Sequence, residues 1–363
     1  MKRFVGFEKG MGIGGWLTNY KRFNVLPMDR RLNLTTGDFE HFNTYITEED
    51  VKNIAGMGMD HIRLGFDQIV LEEAPYRYRE EIFKLLGNFV DWCKKYHINV
   101  VFNLHKAIGN YCDIEEESYL LEDAQLQDRF VALWLKMENY FSDCPEVAFE
   151  LLNEVRDVDF NLWNNLVQKT VEEIRKHNKS RKIIVGGICW NSPNELKNMR
   201  LYDDDNIIYT FHMYGPNCFT HQRGVLVWPE LYYNRKMPYP GDIEYYRDYE
   251  RVVYGNNDAY KDYDVMDKRF LEDFMQGAIN FVKEHPDKIL WCGEFGTIRH
   301  CDIVYRENWM RDIISILKEN EIPYCVWNYL STPNDGNRFS LVDDDTRKIL
   351  SENMLHIIRG EVE

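Results

Sequence analysis

Ile289-Leu-Trp-Cys-Gly-Glu-Phe-Gly296 is a short apolar run with one acid near its end, and Val147-Ala-Phe-Glu-Leu-Leu-Asn-Glu154 has the same character. Runs of this length and apolarity predict strands that are buried on both faces. Similar runs recur along the chain, and longer segments with helical periodicity lie between them. The alternation predicts a parallel sheet covered by helices.

Eight such strands are predicted in all. They are Gly12 to Leu17, His61 to Phe66, Asn99 to His105, Val147 to Glu154, Lys182 to Gly187, Ile207 to Tyr214, Ile289 to Gly296 and Tyr324 to Leu330. The predicted helices include Glu80 to Tyr96, Ala124 to Tyr140, Asn161 to His177 and Glu307 to Asn320. Eight strand and helix repeats can close into a (β/α)8 or TIM barrel, which we predict as a single domain over residues 1–363.

Two connections are unusually long for this architecture, from Thr18 to Glu48 and from Gly215 to Lys288. Connections that follow a strand lie at the face of a barrel where ligands bind. We therefore predict that residues 215–288 form an insertion or lid subdomain after the sixth strand that narrows a cleft. Trp228 within it has two open interpretations, a sugar platform or part of the insertion core.

The charge of the chain excludes some partners. A formal net charge of -16 argues against nucleic acid or an anionic membrane surface as the main partner. No stretch approaches the roughly 18 apolar residues of a membrane span. The start, MKRFVGFEKG, lacks the apolar run of a signal peptide, which leaves the compartment open between cytoplasm and secretion with a trimmed leader. We expect a monomer.

The eight cysteines show no C-x-x-C pair, and Cys189, Cys292 and Cys325 lie in strand-like runs. They are predicted to be reduced and buried, without a disulfide framework or zinc site. A metal-dependent hydrolase is disfavoured because no H-x-H or H-E-x-x-H cluster is present. We expect neither a metal nor a cofactor.

Polar side chains gather at the carboxyl ends of the predicted strands. They are Arg63, His105, Asn153, Glu154, His212, Tyr214, Glu294, Trp327 and Asn328. In a barrel these ends converge, so we expect the two glutamates to face each other. Paired carboxylates cleave glycosidic bonds when one is protonated and the other ionised. Arg63 would hold Glu294 ionised, and Glu154, which lacks such a cation, would keep its proton.

Each of these residues also has a purely structural interpretation. Arg63 could pair Glu150, which shares strand parity with Glu154 and should point inward. His105 and His212 could be core histidines, and Trp327 could pack the barrel interior. Gly293 and Gly296 have no side chain, so we expect the backbone or a ligand to approach closely at these two positions.

Gly10-Met-Gly-Ile-Gly-Gly15 matches the G-x-G-x-x-G pattern of dinucleotide sites. The residues after it lack the small side chains of a phosphate-binding helix start, and no clear strand precedes it. We therefore reject a nucleotide function for this segment.

The strand-end motifs resemble those of clan A glycoside hydrolases, and within them the family 5 cellulases. The matching pieces are Gly-Ile-Gly-Gly-Trp16-Leu, His61-Ile-Arg63-Leu, Asn103-Leu-His105, Leu152-Asn153-Glu154, Phe211-His212-Met-Tyr214, Gly293-Glu294-Phe-Gly296 and Val326-Trp327-Asn328. His41-Phe-Asn-Thr-Tyr-Ile-Thr-Glu48 and the insertion with Phe219-Thr-His-Gln222 further resemble the clostridial endoglucanase C type. The resemblance spans nearly the whole chain.

This resemblance implies a retaining endo-β-1,4-glucanase acting on β-1,4-glucan or mixed-linkage β-glucan. It implies Glu154 as acid/base, Glu294 as nucleophile, Asn153 on the sugar 2-hydroxyl and Tyr214 supporting the nucleophile. Trp327 would floor the −1 subsite through a cis peptide to Asn328, and His105 and His212 would bond sugar hydroxyls or position the glutamates. The chain departs from many relatives at Lys106, where a second histidine is common, and at Val155, where proline is common.

Two alternatives to this function stay open from the sequence. The substrate could be another β-glycan, namely mannan, xylan, xyloglucan or short gluco-oligosaccharides, because glucose and mannose differ at one hydroxyl. A catalytically silent carbohydrate-binding barrel is disfavoured because both glutamates are present.

Overall fold

A computed structural model describes residues 2–18, 34–110, 119–224, 228–332 and 338–361. Eight parallel strands close into a barrel in the order β1-β8-β7-β6-β5-β4-β3-β2, which confirms the predicted fold. The strands are β1 (Lys9–Leu17), β2 (His61–Asp67), β3 (Asn99–Lys106), β4 (Val147–Glu150), β5 (Lys182–Gly186), β6 (Ile207–Met213), β7 (Ile289–Phe295) and β8 (Tyr324–Val326).

Helices cover the outside of the barrel. The longer ones are α1 (Thr36–Thr44), α2 (Glu48–Gly56), α3 (Glu80–Lys95), α4 (Ala124–Tyr140), α5 (Phe160–His177), α6 (Ile243–Tyr254), α7 (Lys268–Phe274), α8 (Gln276–Glu284), α9 (Ile303–Glu319) and α10 (Glu352–Ile358). Shorter helical segments are Gln68–Leu71, Ile188–Asn191, Pro193–Asn198, Asn217–Thr220 and Trp228–Tyr233, and two-stranded ribbons pair Glu72–Ala74 with Arg77–Tyr78 and Gly241–Asp242 with Val265–Met266.

The helices lie against the barrel because they have apolar faces. In α3, Ile82, Phe83, Leu86, Phe89 and Val90 are buried at helical spacing, and lysines close its last turn. The face that these residues form packs against the sheet. The predicted helix boundaries are close to the observed ones, except that α9 begins at Ile303 rather than Glu307.

Three strands differ clearly from their predicted bounds: β8 ends at Val326 rather than Leu330, and β4 and β1 differ as well. β4 ends at Glu150, so Glu154 lies beyond the regular strand and has a positive φ of 42°. Beyond Glu150 the chain makes isolated backbone hydrogen bonds to its neighbours. For example, the amide of Asn153 donates to the carbonyl of Leu104 at 2.9 Å. β1 begins at Lys9 and contains the whole glycine pattern of residues 10–15, so that pattern is strand and not a phosphate-binding turn.

Apolar side chains close the amino-terminal end of the barrel. Phe4 and Phe7 stack on each other at 4.2 Å between ring centroids, and Phe4 meets the edge of Trp291. They belong to one buried cluster with the inward-facing residues Val101, Ala148, Ile184, Ile208 and Cys325. Because this end is filled, a cleft can open only at the carboxyl ends of the strands.

The insertion of residues 215–288 packs against α9, the helix that follows β7, and its α8 packs against Pro193–Asn198. The hydroxyl of Tyr239 donates to Asp312 at 2.7 Å, and Nε1 of Trp309 donates to the carbonyl of Gly215 at 3.0 Å. Lys268 bonds Glu319 at 2.7 Å. Trp228 begins a short helix, and its side chain lies outside the described residues.

Seven cysteines are free thiols, and Cys112 lies outside the described residues. Five of the seven are buried, whereas Cys144 and Cys189 are partly exposed. The prediction of reduced cysteines is therefore confirmed for these seven. The prediction that they are buried holds for five of them and is wrong for Cys144 and Cys189. Within the described ranges, none of the helices combines the length and apolarity needed to cross a membrane.

Candidate active site

A cleft of about 680 Å³ opens at the carboxyl ends of the strands. Its lining includes His105, Asn153, Glu154, His212, Tyr214, Glu294, Trp327 and Asn328. Arg63 lies beneath the cleft floor and is fully buried. The structure thus brings together every side chain that the sequence placed at a strand end.

Arg63 binds carboxylates on two sides of the barrel. Its Nε and Nη2 donate to Glu150 at 2.5 and 2.9 Å, and Nη1 donates to Glu294. Nη2 also donates to Oδ1 of Asn153 at 2.7 Å. The two interpretations of Arg63 from the sequence are therefore both correct, because one guanidinium has donors enough for both glutamates.

Glu294 is held in its ionised form. The hydroxyl of Tyr214 donates to its Oε2 at 2.8 Å, and Arg63 donates to Oε1. Burial alone would raise the pKa of Glu294, but the nearby charges of His212 and Arg63 outweigh it and hold that pKa well below its usual range. An ionised carboxylate directed at the cleft is suited to nucleophilic attack.

Glu154 has a different environment. Its side chain is 20% exposed, and burial of the carboxyl group raises its pKa despite the opposing hydrogen bond from His212. The sequence argument overlooked a titratable partner of Glu154, because Nδ1 of His212 lies 2.7 Å from its Oε1. Arg63 bonds Glu294 and not Glu154, so the two glutamates still differ in charge environment.

His212 stands between the two glutamates. Its Nδ1 lies 3.7 Å from Oε2 of Glu294, and Asn191 contacts Nε2 at 3.2 Å from the opposite side. Burial lowers the pKa of His212, but the charges of Glu294 and Glu154 outweigh this effect and raise it. The ring is thus a buried group with hydrogen-bonding roles on both nitrogens and not a histidine of the apolar core.

Trp327 forms part of the cleft floor, and glycines make room for it. A Cβ on Gly12 or Gly14 would lie 2.7 or 2.6 Å from its ring, and one on Gly296 would collide with its carbonyl. His105 stacks on the ring in parallel at 5.7 Å between centroids. The peptide between Trp327 and Asn328 is cis, as the resemblance implied.

Several cleft residues were not found from the sequence. Asn217, His221 and Phe274 come from the insertion, Phe339 from the loop after β8, and Trp190 from the turn after β5. His221 lies within the quoted Phe219 to Gln222 motif, and burial lowers its pKa to about 4. Asn191 and Trp190 had no sequence signal, because both lie in an irregular turn with positive φ.

Glu154, His212 and Glu294 have the composition of a metal site, with one potential ligand atom from each within 4.8 Å of the others. However, Arg63 and Tyr214 already bond the oxygens of Glu294, and His212 bonds Glu154. A guanidinium beside the carboxylate would oppose a cation. These contacts make the group a poor fit for a metal ion and leave its oxygens and ring nitrogens in a hydrogen-bonded network.

The chain is similar to known proteins over most of its length. The chain is 35% identical to endoglucanase C of Acetivibrio thermocellus over 98% of both chains. It is 28% identical to cellodextrinase A of Ruminococcus flavefaciens over 89% of this chain and 85% of that one.

Solved structures share the fold. The endoglucanase Cel5A of Thermotoga maritima superposes with a TM-score of 0.73 at 22% identity, over 97% of each chain. Structures of that enzyme hold cellobiose or mannotriose. The profile of the family described as cellulase (glycosyl hydrolase family 5) matches residues 22–332. From this match and the 35% identity with endoglucanase C, we conclude that the chain belongs to the cellulases of glycosyl hydrolase family 5.

Proposed function

We propose that this chain is a retaining endo-β-1,4-glucanase that cleaves β-1,4-glucan or mixed-linkage β-glucan by double displacement. The observation that carries the mechanism is the spacing of Glu154 and Glu294, which bring one carboxylate oxygen each within 4.8 Å of the other. Retaining enzymes have carboxyl groups about 5–5.5 Å apart, whereas inverting enzymes need about 6.5–9.5 Å to admit a water.

The two glutamates take separate roles in this proposal. Glu294 attacks the anomeric carbon as Glu154 gives its proton to the leaving glycosidic oxygen, which leaves a glycosyl-enzyme. Glu154, now ionised, then takes a proton from water, and that water displaces Glu294. The assignment follows from charge, because Arg63 and Tyr214 stabilise an ionised Glu294 and burial favours a protonated Glu154.

The remaining lining residues supply sugar binding. Trp327 presents its ring as the floor of the −1 subsite, and His105, which stacks on that ring and also lines the cleft, is available to sugar hydroxyls. Asn153, fixed by its bond from Arg63, is positioned to bond the 2-hydroxyl. All of these groups come from one barrel, so a monomer without a cofactor carries a complete site.

The insertion of residues 215–288 is proposed to form one wall of the cleft within the same domain. Asn217, His221 and Phe274 line the cleft, and the contacts with α9 anchor the rest. The insertion is thus a lid only in part, because its tyrosine-rich middle packs on α9 and not over the cleft. This arrangement leaves the wall to the two ends of the insertion.

β-Mannan is a second candidate substrate. The Thermotoga maritima relative was solved with mannotriose as well as cellobiose. The short-substrate alternative has support from the relative named cellodextrinase. Xylan and xyloglucan remain rivals on chemical grounds alone.

One experiment tests substrate and mechanism together. The purified chain is assayed on carboxymethylcellulose, mixed-linkage β-glucan, mannan, xylan, xyloglucan and cello-oligosaccharides, and early products are followed by NMR. We expect fastest cleavage of the glucans with initial release of the β-anomer. Initial release of the α-anomer would reject double displacement, and preference for mannan would reassign the substrate.

A further inference from the structure

Asn191 occupies an unusual backbone position beside the candidate proton donor. Cys189, Trp190 and Asn191 have φ values of 53°, 56° and 55°, so three consecutive residues without glycine lie in the left-handed region. Each such residue costs about 1–2 kcal/mol relative to right-handed backbone. A turn this costly persists only where its surroundings hold it.

The surroundings of this turn join it to the loop that carries Glu154. The amide of Trp190 donates to the carbonyl of Val155 at 2.9 Å, and the amide of Cys189 donates to that of Arg156 at 3.3 Å. The side chain of Asn191 is fully buried. Gly186 leaves the space for it, because a Cβ there would collide with the carboxamide.

The side chain of Asn191 ends at the ring of His212. Its Nδ2 lies 3.2 Å from Nε2, and Nδ1 of the same ring lies 2.7 Å from Oε1 of Glu154. A neutral imidazole has one donor nitrogen and one acceptor nitrogen. If Asn191 donates to Nε2, the ring proton is on Nδ1 and is donated to Oε1 of Glu154. The acidic proton of Glu154 must then be on Oε2.

The charges around the ring act against this arrangement. Glu154 and Glu294 face Nδ1 and favour a second ring proton, which would bind at Nε2, while Arg63 opposes it. An imidazolium beside Glu154 would favour the ionised carboxylate and remove the proton that the leaving group needs. If Asn191 donates a hydrogen bond to Nε2, that nitrogen stays unprotonated and the imidazolium does not form.

We propose that Asn191 is a positioning residue that keeps His212 as the neutral Nδ1–H tautomer, and so keeps Glu154 protonated on the oxygen opposite His212. This inference rests on the proposed role of Glu154 as acid/base. The opposite orientation of the amide would put Oδ1 against Nε2 and would require a proton there. The two orientations of the Asn191 amide predict different effects of substituting Asn191 on the pH profile.

Asn191→Asp and Asn191→Gly form the test. Aspartate has the same shape and tolerates a positive φ, but it can only accept, so it favours the imidazolium. Glycine keeps the backbone without strain and removes the donor. We expect the alkaline limb of kcat/KM on glucan to move down by about one pH unit in Asn191→Asp and less in Asn191→Gly. With a dinitrophenyl cellobioside, whose departure needs no acid, kcat/KM should lack this limb in the wild type and in both variants.

An unchanged alkaline limb in Asn191→Asp on glucan would overturn the proposal. A loss of kcat with the same pH profile would also overturn it, since that result indicates a structural role alone. Gly186→Ala provides a second route, because the added methyl displaces Asn191 without altering it. Gly186→Ala should change the pH profile of the wild type but not that of Asn191→Gly, where the side chain it displaces is absent. Additive effects of the two substitutions would contradict the proposal that Gly186→Ala acts through Asn191.

A spectroscopic readout separates this inference from the proposed function. In wild-type enzyme, ¹⁵N NMR should show Nδ1 of His212 protonated and Nε2 unprotonated at neutral pH, and both protonated in Asn191→Asp. A doubly protonated ring in the wild type would reject the role of Asn191 whatever Glu154 does. Glu154→Gln tests the other premise, because full activity on glucan in that variant would reject Glu154 as the acid and leave the tautomer result intact.

Discussion

Glu294 and His212 are register partners on the neighbouring strands β7 and β6, so their side chains rise together at the strand ends. Nδ1 of His212 lies 3.7 Å from Glu294 and 2.7 Å from Glu154. One imidazole therefore contacts both glutamates, while Arg63 bonds only Glu294 of the two. This asymmetry moves the pKa values of two chemically identical side chains in opposite directions, up for Glu154 and down for Glu294.

Replacement of each glutamate by alanine should have a distinct result. Glu294→Ala removes the nucleophile, so hydrolysis of every substrate should fall together. Glu154→Ala should lose about 10²- to 10⁴-fold on glucan but still form the glycosyl-enzyme from an activated aryl glycoside. Added azide should then give a β-glycosyl azide with Glu154→Ala and an α-azide with Glu294→Ala. Exchanged anomers, read by NMR, would reverse the two assignments.

The pH dependence should respond to Tyr214. In the proposed mechanism activity requires an ionised Glu294, so we expect activity to be lost as the pH falls through the lowered pKa of that group. Tyr214→Phe removes a hydrogen bond to the ionised form, which raises the pKa of Glu294 and moves the acidic limb of kcat/KM to higher pH. The alkaline limb, set by Glu154, should stay in place. A shift of the alkaline limb alone would contradict this assignment.

Glu150→Gln tests whether Arg63 needs its second carboxylate. Breaking this buried pair should cost about 3–5 kcal/mol of stability, measured by denaturant unfolding, and should lower kcat because Arg63 is no longer fixed against Glu294. Glu138→Gln is the matched control, since Glu138 is equally buried and bonds Arg181 at 2.6 Å away from the cleft. We expect a similar loss of stability there with unchanged kcat. Equal effects on kcat would reject the special role of Glu150.

Gly14→Ala should damage the floor of the cleft. The new methyl would lie 2.6 Å from the ring of Trp327, so the ring must move and kcat/KM on glucan should fall about 10-fold or more. Gly56→Ala is the control, because a Cβ there meets no atom within 4 Å and the residue ends α2. That variant should keep wild-type activity and gain up to about 1 kcal/mol of stability. Full activity in Gly14→Ala would show that Trp327 is not needed in this position.

Phe274→Ala tests the wall formed by the insertion. Phe274 lines the cleft, so its removal should lower kcat/KM for long glucans more than for cellotriose. Phe270→Ala on the same helix removes a ring that does not line the cleft, packs on Tyr260 and Tyr263, and lies 6.1 Å from the ring of Phe274 between centroids. It should reduce thermal stability with the ratio of the two substrates unchanged. A changed ratio in Phe270→Ala alone would place the wall elsewhere.

Much of the barrel could be predicted because strand and helix patterns are local. Apolar runs such as Ile289 to Gly296 and periodic segments such as Glu80 to Tyr96 carry their burial in the order of neighbouring residues. The convergence of Glu154 and Glu294 also followed, since parallel strands in a barrel put their carboxyl ends at one face. The glycines at 293 and 296 were correctly expected at close approaches, and Gly296 indeed packs against the carbonyl of Trp327.

The sequence by itself determined the barrel, the face that holds the cleft and the side chains that meet there. The tertiary structure alone decided how those side chains share hydrogen bonds: Arg63 with both Glu150 and Glu294, His212 with Glu154, and Asn191 behind His212. These bonds join residues far apart in the chain, and each forms only where the closed barrel places its two atoms to within tenths of an ångström. A hydrogen bond has that narrow distance tolerance, whereas burial of an apolar strand does not, so the pattern of residues could predict the fold and the contrast between the two glutamates, but not the network of hydrogen bonds behind that contrast.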